Sequence, residues 1–210
     1  MSRGKFIAFE GGEGAGKSTQ VRRLAAFLQS RGIETVATRE PGGSPGAEQI
    51  RALLVTGELQ RWDGMTEALL HFAARSDHLV RTVKPALSRG AWVVCDRFVD
   101  STMAYQGYAQ GLGREVVENL TRAVLGDFKP DLTLVLDLPP RIGLRRTDDR
   151  GTAENRYERM DPKFHETLRS AFLDIAKREP NRCAVVDASG SEDEVEQAIR
   201  AAVTARLGLG

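Results

Sequence analysis

Cysteine, surplus charge and long apolar runs are what this chain has least of. It holds two cysteines in 210 residues. Cys95 and Cys183 stand far apart with no paired Cys-x-x-Cys spacing, which excludes a disulfide framework and a cysteine-based zinc site as the organising principle. Thirty Lys and Arg face 29 Asp and Glu, a formal charge of +1. No global positive field exists to hold nucleic acid or an acidic membrane, so binding of any anion has to be local. No run approaches the roughly 18 apolar residues of a membrane span, and Met1 to Phe9 does not read as a secretory leader. The expectation is a cytoplasmic chain without nucleic-acid or membrane partners. With 41% apolar residues in 210, there is enough chain for one core and one domain over residues 1–210.

Apolar runs of strand length recur at Lys5 to Phe9, Ile33 to Thr38, Ala91 to Asp96, Leu132 to Asp137 and Cys183 to Asp187. They do not alternate strictly, and β-branched and aromatic residues recur in them. That is the look of strands covered on both faces in a parallel sheet. Between them the period becomes helical. Val21, Leu24, Ala25 and Leu28 form one stripe, stopped by Gly32, and Val116, Val117, Leu120 and Val124 form another, closed by Gly126. Phe164, Leu168, Phe172 and Ile175 make a third. Val195, Ile199, Ala202 and Val203 make a fourth, opened by a capping box from Ser191 to Glu194. The alternation predicts an α/β fold in three layers, a five-stranded parallel sheet flanked by helices, with its ligand site at the carboxyl ends of the strands. Arg39 to Pro45 and Thr147 to Asn155 stand outside this regularity as Gly/Pro-rich and polar segments.

The first strand runs straight into Gly11-Gly12-Glu13-Gly14-Ala15-Gly16-Lys17-Ser18, which fits Gly-x-x-x-x-Gly-Lys-Ser/Thr between a strand and an amphipathic helix. This is the sequence of a P-loop. Glycines allow successive backbone N–H groups to converge on phosphate oxygens at the positive end of the following helix. Lys17 adds a full charge, and Ser18 can ligand a Mg2+ ion bridging the terminal phosphates. The nucleotide-binding stretch is Gly11, Gly12, Glu13, Gly14, Ala15, Gly16, Lys17, Ser18 and Thr19. A Rossmann fingerprint fails here, because Gly12, Gly14 and Gly16 leave Lys17 where the third glycine belongs. A GTPase would need a base-reading Asn-Lys-x-Asp, which is absent, and Asp187 to Gly190 reads as a strand end plus turn. Asp96 and Arg97 close a buried strand, the first suited to magnesium and the second to a bidentate grip on another phosphate. An ordinary surface ion pair is the plainer alternative for these two. Arg141, Arg145, Arg146, Arg150, Arg156 and Arg159 surround the polar interruption. A solvated helix face would account for most of them; a flap that neutralises a phosphoryl transition state is the alternative.

Together these stretches resemble the bacterial thymidylate kinase family over essentially the whole chain: Phe9-Glu10-Gly11 with the cradle, Thr38 to Gly43, Asp96-Arg97-Phe98-Val99-Asp100-Ser101, Ala104-Tyr105-Gln106-Gly107, and Pro130-Asp131 leading to Leu136-Asp137. The resemblance implies transfer of the γ-phosphoryl group of ATP to dTMP, giving dTDP and ADP with Mg2+ as cofactor, by a homodimer. It implies that Glu13 faces the acceptor's 3′-hydroxyl and that Arg39 and Arg97 hold its phosphate. It implies further that Arg75 reads the thymine edge and that Thr102, Tyr105 and Gln106 line base and sugar, with Tyr105 disfavouring a ribose 2′-hydroxyl. The cradle carries no arginine, which resembles the subtype whose lid, here at about 141–160, supplies the catalytic cation; Arg145, Arg146 and Arg150 are the candidates beside Lys17 and Arg97. Where the family places a base-stacking aromatic this chain has His71, followed by Phe72, and either can face thymine. Asn155 replaces the usual aspartate, and Phe172 a usual tyrosine. A kinase for another nucleoside monophosphate, and a module that uses ATP to switch shape for a protein partner, are the competing readings; acceptor-dependent turnover separates them.

Overall fold

The computed structural model describes residues 3–58, 61–148 and 156–209. Within them lie five strands, β1 (Phe6–Glu10), β2 (Thr35–Arg39), β3 (Trp92–Asp96), β4 (Leu132–Asp137) and β5 (Cys183–Asp187), all parallel in the order β2-β3-β1-β4-β5. These are the five expected runs, shifted by no more than two residues at an end. Side chains alternate across the sheet as the strand period requires. Ile7 and Phe9 point into a core shared with one helical layer, whereas Phe6 and Ala8 point into the opposite one.

The helices are α1 (Lys17–Ser30), α2 (Pro45–Val55), α3 (Gly64–His78), α4 (Lys84–Ser88), α5 (Val99–Thr102), α6 (Arg114–Leu125), α7 (Pro140–Asp148), α8 (Pro162–Arg178) and α9 (Glu192–Leu207). The four periodic stripes became α1, α6, α8 and α9. Leu24 and Leu28 of α1 meet Val195, Ile199 and Val203 of α9 over one face of the sheet. The capping box is formed: Ser191 Oγ accepts from the Glu194 N–H, and the Glu194 carboxylate accepts from the Ser191 N–H at 2.8 Å. On the other face, α3 and α4 are joined through a π-helical turn at Leu79–Val83. The turn leads into α4, whose second residue, Pro85, has no N–H to give and crowds the carbonyl four residues back; widening the helix there lets the rod continue. A second π-helical segment, Met103–Ala109, follows α5 and packs on α8 through Met103, Tyr105, Leu168 and Phe172.

Register places the chemistry. Phe9 of β1 and Arg39 of β2 both pair with Asp96 of β3, so the loops leaving these strands emerge side by side at one sheet edge. The loop after β1 is pressed against α7 by two glycines. A Cβ on Gly14 would meet the Gly143 carbonyl oxygen at 2.0 Å, and one on Gly143 would meet that of Glu13 at 2.1 Å.

Truncating Leu28, which is fully buried between sheet and α9, is expected to cost about 2–5 kcal/mol in urea unfolding. Val185→Ala, on a strand residue that is 51% exposed, should stay within about 0.5 kcal/mol of the parent; equal losses would contradict this placement of the core.

Candidate active site

The loop Gly11–Gly16 leaves β1 at its carboxyl end and turns into α1 through Gly16, whose φ of 86° lies in the left-handed region that glycine tolerates. Lys17 is buried, and its ammonium donates to the Gly11 and Gly12 carbonyl oxygens at 3.1 and 2.7 Å. Burial, with Arg97 nearby, lowers its pKa to about 8, partly offset by Glu13, Asp96 and Glu10. The Ser18 hydroxyl donates to Asp96 Oδ2 at 2.5 Å. A hydroxyl and a carboxylate in contact are hard oxygen donors of the kind Mg2+ takes one or two of, leaving its other positions to water and phosphate. Among the described residues no cluster of three or more acidic, histidine or cysteine side chains could hold a metal by protein groups alone.

Arg97 follows Asp96 with a φ of 69°, the one non-glycine residue in the left-handed region among the described residues. The turn is held from beneath. Glu10, wholly buried at the end of β1, accepts from the Phe98 N–H at 2.8 Å, the Ser101 N–H at 3.1 Å and the Ser101 hydroxyl at 2.5 Å. Burial and the neighbouring Asp100 push the Glu10 carboxyl up to about 8. Arg97 then reaches Gly11 O at 3.1 Å, Ser101 Oγ at 3.2 Å and Glu13 Oε1 at 3.0 Å, and its guanidinium lies 5.1 Å from the centre of the Tyr105 ring. Tyr105 donates its hydroxyl to the same Glu13 oxygen at 2.5 Å. Burial alone would raise the Glu13 carboxyl, but Arg97 and Lys17 outweigh it and hold it at about 2.

Two clefts meet at Glu13 and Arg97. One lies over the loop and includes Gly14, Lys17, Ser18, Arg39 and Asp96; the other is lined by Glu40, His71, Thr102, Tyr105, Gln106 and Tyr157. The second encloses a cavity of about 120 Å³. His71 faces it, whereas Phe72 is packed in the core with Phe172 and carries the Arg75 guanidinium 5.0 Å from its ring centre. Burial, with Arg75 and Arg97 adding to it, pushes His71 down to about 3, so the imidazole is neutral. Arg75 is buried behind the cleft. It donates to Glu40 Oε2 at 2.7 Å, to Phe98 O at 3.1 Å and to Thr102 Oγ1 at 3.1 Å, while Nη1 is without a partner among the described residues. His78 holds the other Glu40 oxygen at 2.9 Å and Thr38 Oγ1 at 2.8 Å.

Gly11, Gly12, Gly16 and Ala15 form the loop, and Thr19 opens onto its outer side, where Arg146 of α7 also lies and reaches Ala188 O at 3.5 Å. Arg39 is exposed at the cleft rim and paired with Glu48 at 3.1 Å. Arg145 is exposed on α7, and Arg150 lies outside the described residues. Arg156 is buried, donating to Glu58 O at 2.9 Å and ion-paired with Glu67. Sequence reasoning did not single out Glu67, Arg51 or Tyr157. Glu67 carried a signal, as the acid that opens the largely apolar run Ala68 to Ala74; Tyr157 sits among polar residues that do not mark it, and Arg51 stands as a single cation in the apolar stretch Ile50 to Val55.

Residues 9–199 match the sequence model of a family described as Thymidylate kinase. A thymidylate kinase of Caulobacter vibrioides is 54% identical over 209 residues, covering 100% of both chains. One from a Bradyrhizobium strain is 50% identical, covering 98% of this chain and 92% of its own. The crystal structure of thymidylate kinase from Ehrlichia chaffeensis superposes with a TM-score of 0.78 at 34% identity, over 96% of this chain and 99% of that one. A nucleotide loop, a second cleft beside it and likeness along the whole length have one account: the chain belongs to the thymidylate kinase family.

Proposed function

We propose that the protein transfers the γ-phosphoryl group of ATP to the phosphate of dTMP, giving dTDP and ADP. The observation that carries the reading is that the loop cleft and the base-sized cleft share Glu13 and Arg97. Two nucleotides laid in them would meet phosphate to phosphate, which is what in-line transfer requires. Lys17 and the loop amides hold the donor phosphates. Arg97, kept charged because Glu13, Tyr105 and Asp96 outweigh the cost of its burial, orients the acceptor phosphate. Glu13 stays ionised and accepts from the sugar 3′-hydroxyl, and Tyr105 stands where a ribose 2′-hydroxyl would need room. His71, neutral, covers the face of the base. Ser18 and Asp96 would hold Mg2+, which when bound supplies charge neutralisation of the terminal phosphates. Arg146, with Arg145 and Arg150 on either side of it in the lid sequence, brings cations to the donor side. An acceptor phosphate is anionic near neutral pH, so no side chain need act as its base.

We further infer a homodimer. Met65, Leu69, Ala73, Ser76 and Val80 are exposed along one face of α3 and the π-helical turn after it, three of them large and apolar. A two-fold axis needs only one such self-complementary patch. A cytoplasmic location suits the two buried thiols and the substrates.

An acceptor panel of nucleoside monophosphates with ATP should show preference for dTMP, with Lys17→Ala inactive and Arg97→Ala lowering kcat/KM for dTMP by about 10²-fold or more. Better turnover of AMP, GMP or CMP would reject the thymine assignment, and an unchanged Arg97→Ala would reject the acceptor-phosphate role. Because Lys17 carries its charge below about pH 8 and loses it above, kcat/KM for ATP should fall as pH rises through about 8, and Lys17→Arg should remove that limb. Leu69→Asp with Val80→Asp should convert a dimer to a monomer in sedimentation without unfolding it; a wild type that sediments as a monomer contradicts the interface.

A further inference from the structure

We propose that Glu67 is a positioning residue that fixes the hydrogen-bonding polarity of Gln106 and thereby decides which pyrimidine the acceptor cleft takes. The inference deepens the dTMP assignment and rests on it.

Glu67 lies on α3, fully buried. Its Oε2 accepts from Gln106 Nε2 at 3.0 Å, from Gln110 Nε2 at 2.7 Å and from the Tyr157 hydroxyl at 3.2 Å, and its other oxygen is ion-paired with the buried Arg156. Every one of these partners donates, and the carboxylate facing them only accepts. A glutamine amide among neutral neighbours can turn over and exchange its oxygen for its nitrogen. Here turning over would set the Gln106 oxygen against a buried carboxylate and forfeit a charge-assisted bond, which is costly away from water. The amide nitrogen is therefore committed to Glu67, and what Gln106 can offer the cleft it lines is Oε1. That atom is buried and without a partner among the described residues, as is Arg75 Nη1, whose neighbouring nitrogens bind the cleft residues Glu40 and Thr102.

One unpaired acceptor therefore sits on a residue of the cleft wall, and one unpaired donor on the arginine buried behind it. A 4-oxo pyrimidine carries the complementary pair, an N3–H donor beside an O4 acceptor. A 4-amino pyrimidine carries the reverse, an N3 acceptor beside an amino donor, and would leave both protein groups facing their own kind. Selection thus begins behind the cleft, at a carboxylate that the base never touches. Tyr157 and Arg156, in the distal part of the lid sequence, are held by the same carboxylate, so the base wall and the distal stem of the lid share one anchor.

The test compares kcat and KM for dTMP, dUMP and dCMP in the wild type, Glu67→Gln and Glu67→Asp, with thermal unfolding of each. Glu67→Gln gives Gln106 a neighbour that donates as well as accepts, so its amide can turn over. The proposal expects kcat/KM for dTMP and dUMP to fall about tenfold or more, mainly through KM, and the dTMP-to-dCMP preference to narrow at least tenfold. Glu67→Asp, which keeps the charge but withdraws it by one methylene, should move both quantities the same way by less. In a Gln106→Leu background Glu67→Gln should leave the preference unchanged. An unaltered preference in a folded Glu67→Gln enzyme, a fall in kcat shared equally by all three acceptors, or unfolding of both Glu67 variants would overturn it. A wild type that turns over dTMP while Glu67→Gln keeps the full preference sinks this inference alone; a wild type that ignores dTMP sinks the assignment beneath it as well.

Discussion

The site depends on one contact, the ion pair between Arg97 and Glu13. Each group is half-buried, its side chain 17% exposed, and either alone would be a poorly compensated charge largely withdrawn from water. Together with the Tyr105 hydroxyl they form the partition between two clefts, and each cleft owes its electrostatics to that partition. The carboxylate keeps the guanidinium from repelling Lys17 unopposed, and the guanidinium keeps the carboxylate ionised beside an anionic substrate. The strained backbone at Arg97 is the geometric cost of aiming its side chain back over the loop. The three bonds that Glu10 accepts from the following turn hold it there.

Around that partition the fold divides its labour by element type. Strand ends supply groups whose position must not drift: Glu10, Arg39 and Asp96 are fixed by parallel register. The irregular helical segment Met103–Ala109 supplies the residues that fit a base, where a wider turn sets Tyr105 and Gln106 on one wall. The π-helical turn at Leu79–Val83 lets α3, which carries Glu67, His71 and Arg75, run on as one rod into α4 beneath the sheet.

How much of this was legible in the sequence varied with the kind of signal. The strands and four helices were readable because each has one apolar face and a period, as in α9 with its Ser191 cap. The loop was readable because lysine and serine after a glycine spacing have little other use. α3 and the irregular segment after α5 were not singled out, since their buried faces include polar residues such as Glu67, Arg75, His78 and Gln106 that blur the period. The same blurring hid Glu67, whose meaning lies in partners 39, 43 and 90 positions away. Arg156 shows the converse: one of six arginines grouped by proximity in sequence, it is spent on the backbone of Leu54 and Glu58 and on Glu67, while Arg146 on α7 lies at the loop's outer side. Composition along a chain does not distinguish a cation that meets a ligand from one that ties two segments together.

The back-to-back glycines 14 and 143 carry a mechanical consequence. Main chain rests on main chain there, with no side chain between to act as padding. α7 and the turn that grips the donor phosphates are therefore geared together without play, and a small tilt of that helix is transmitted to the grip instead of being absorbed.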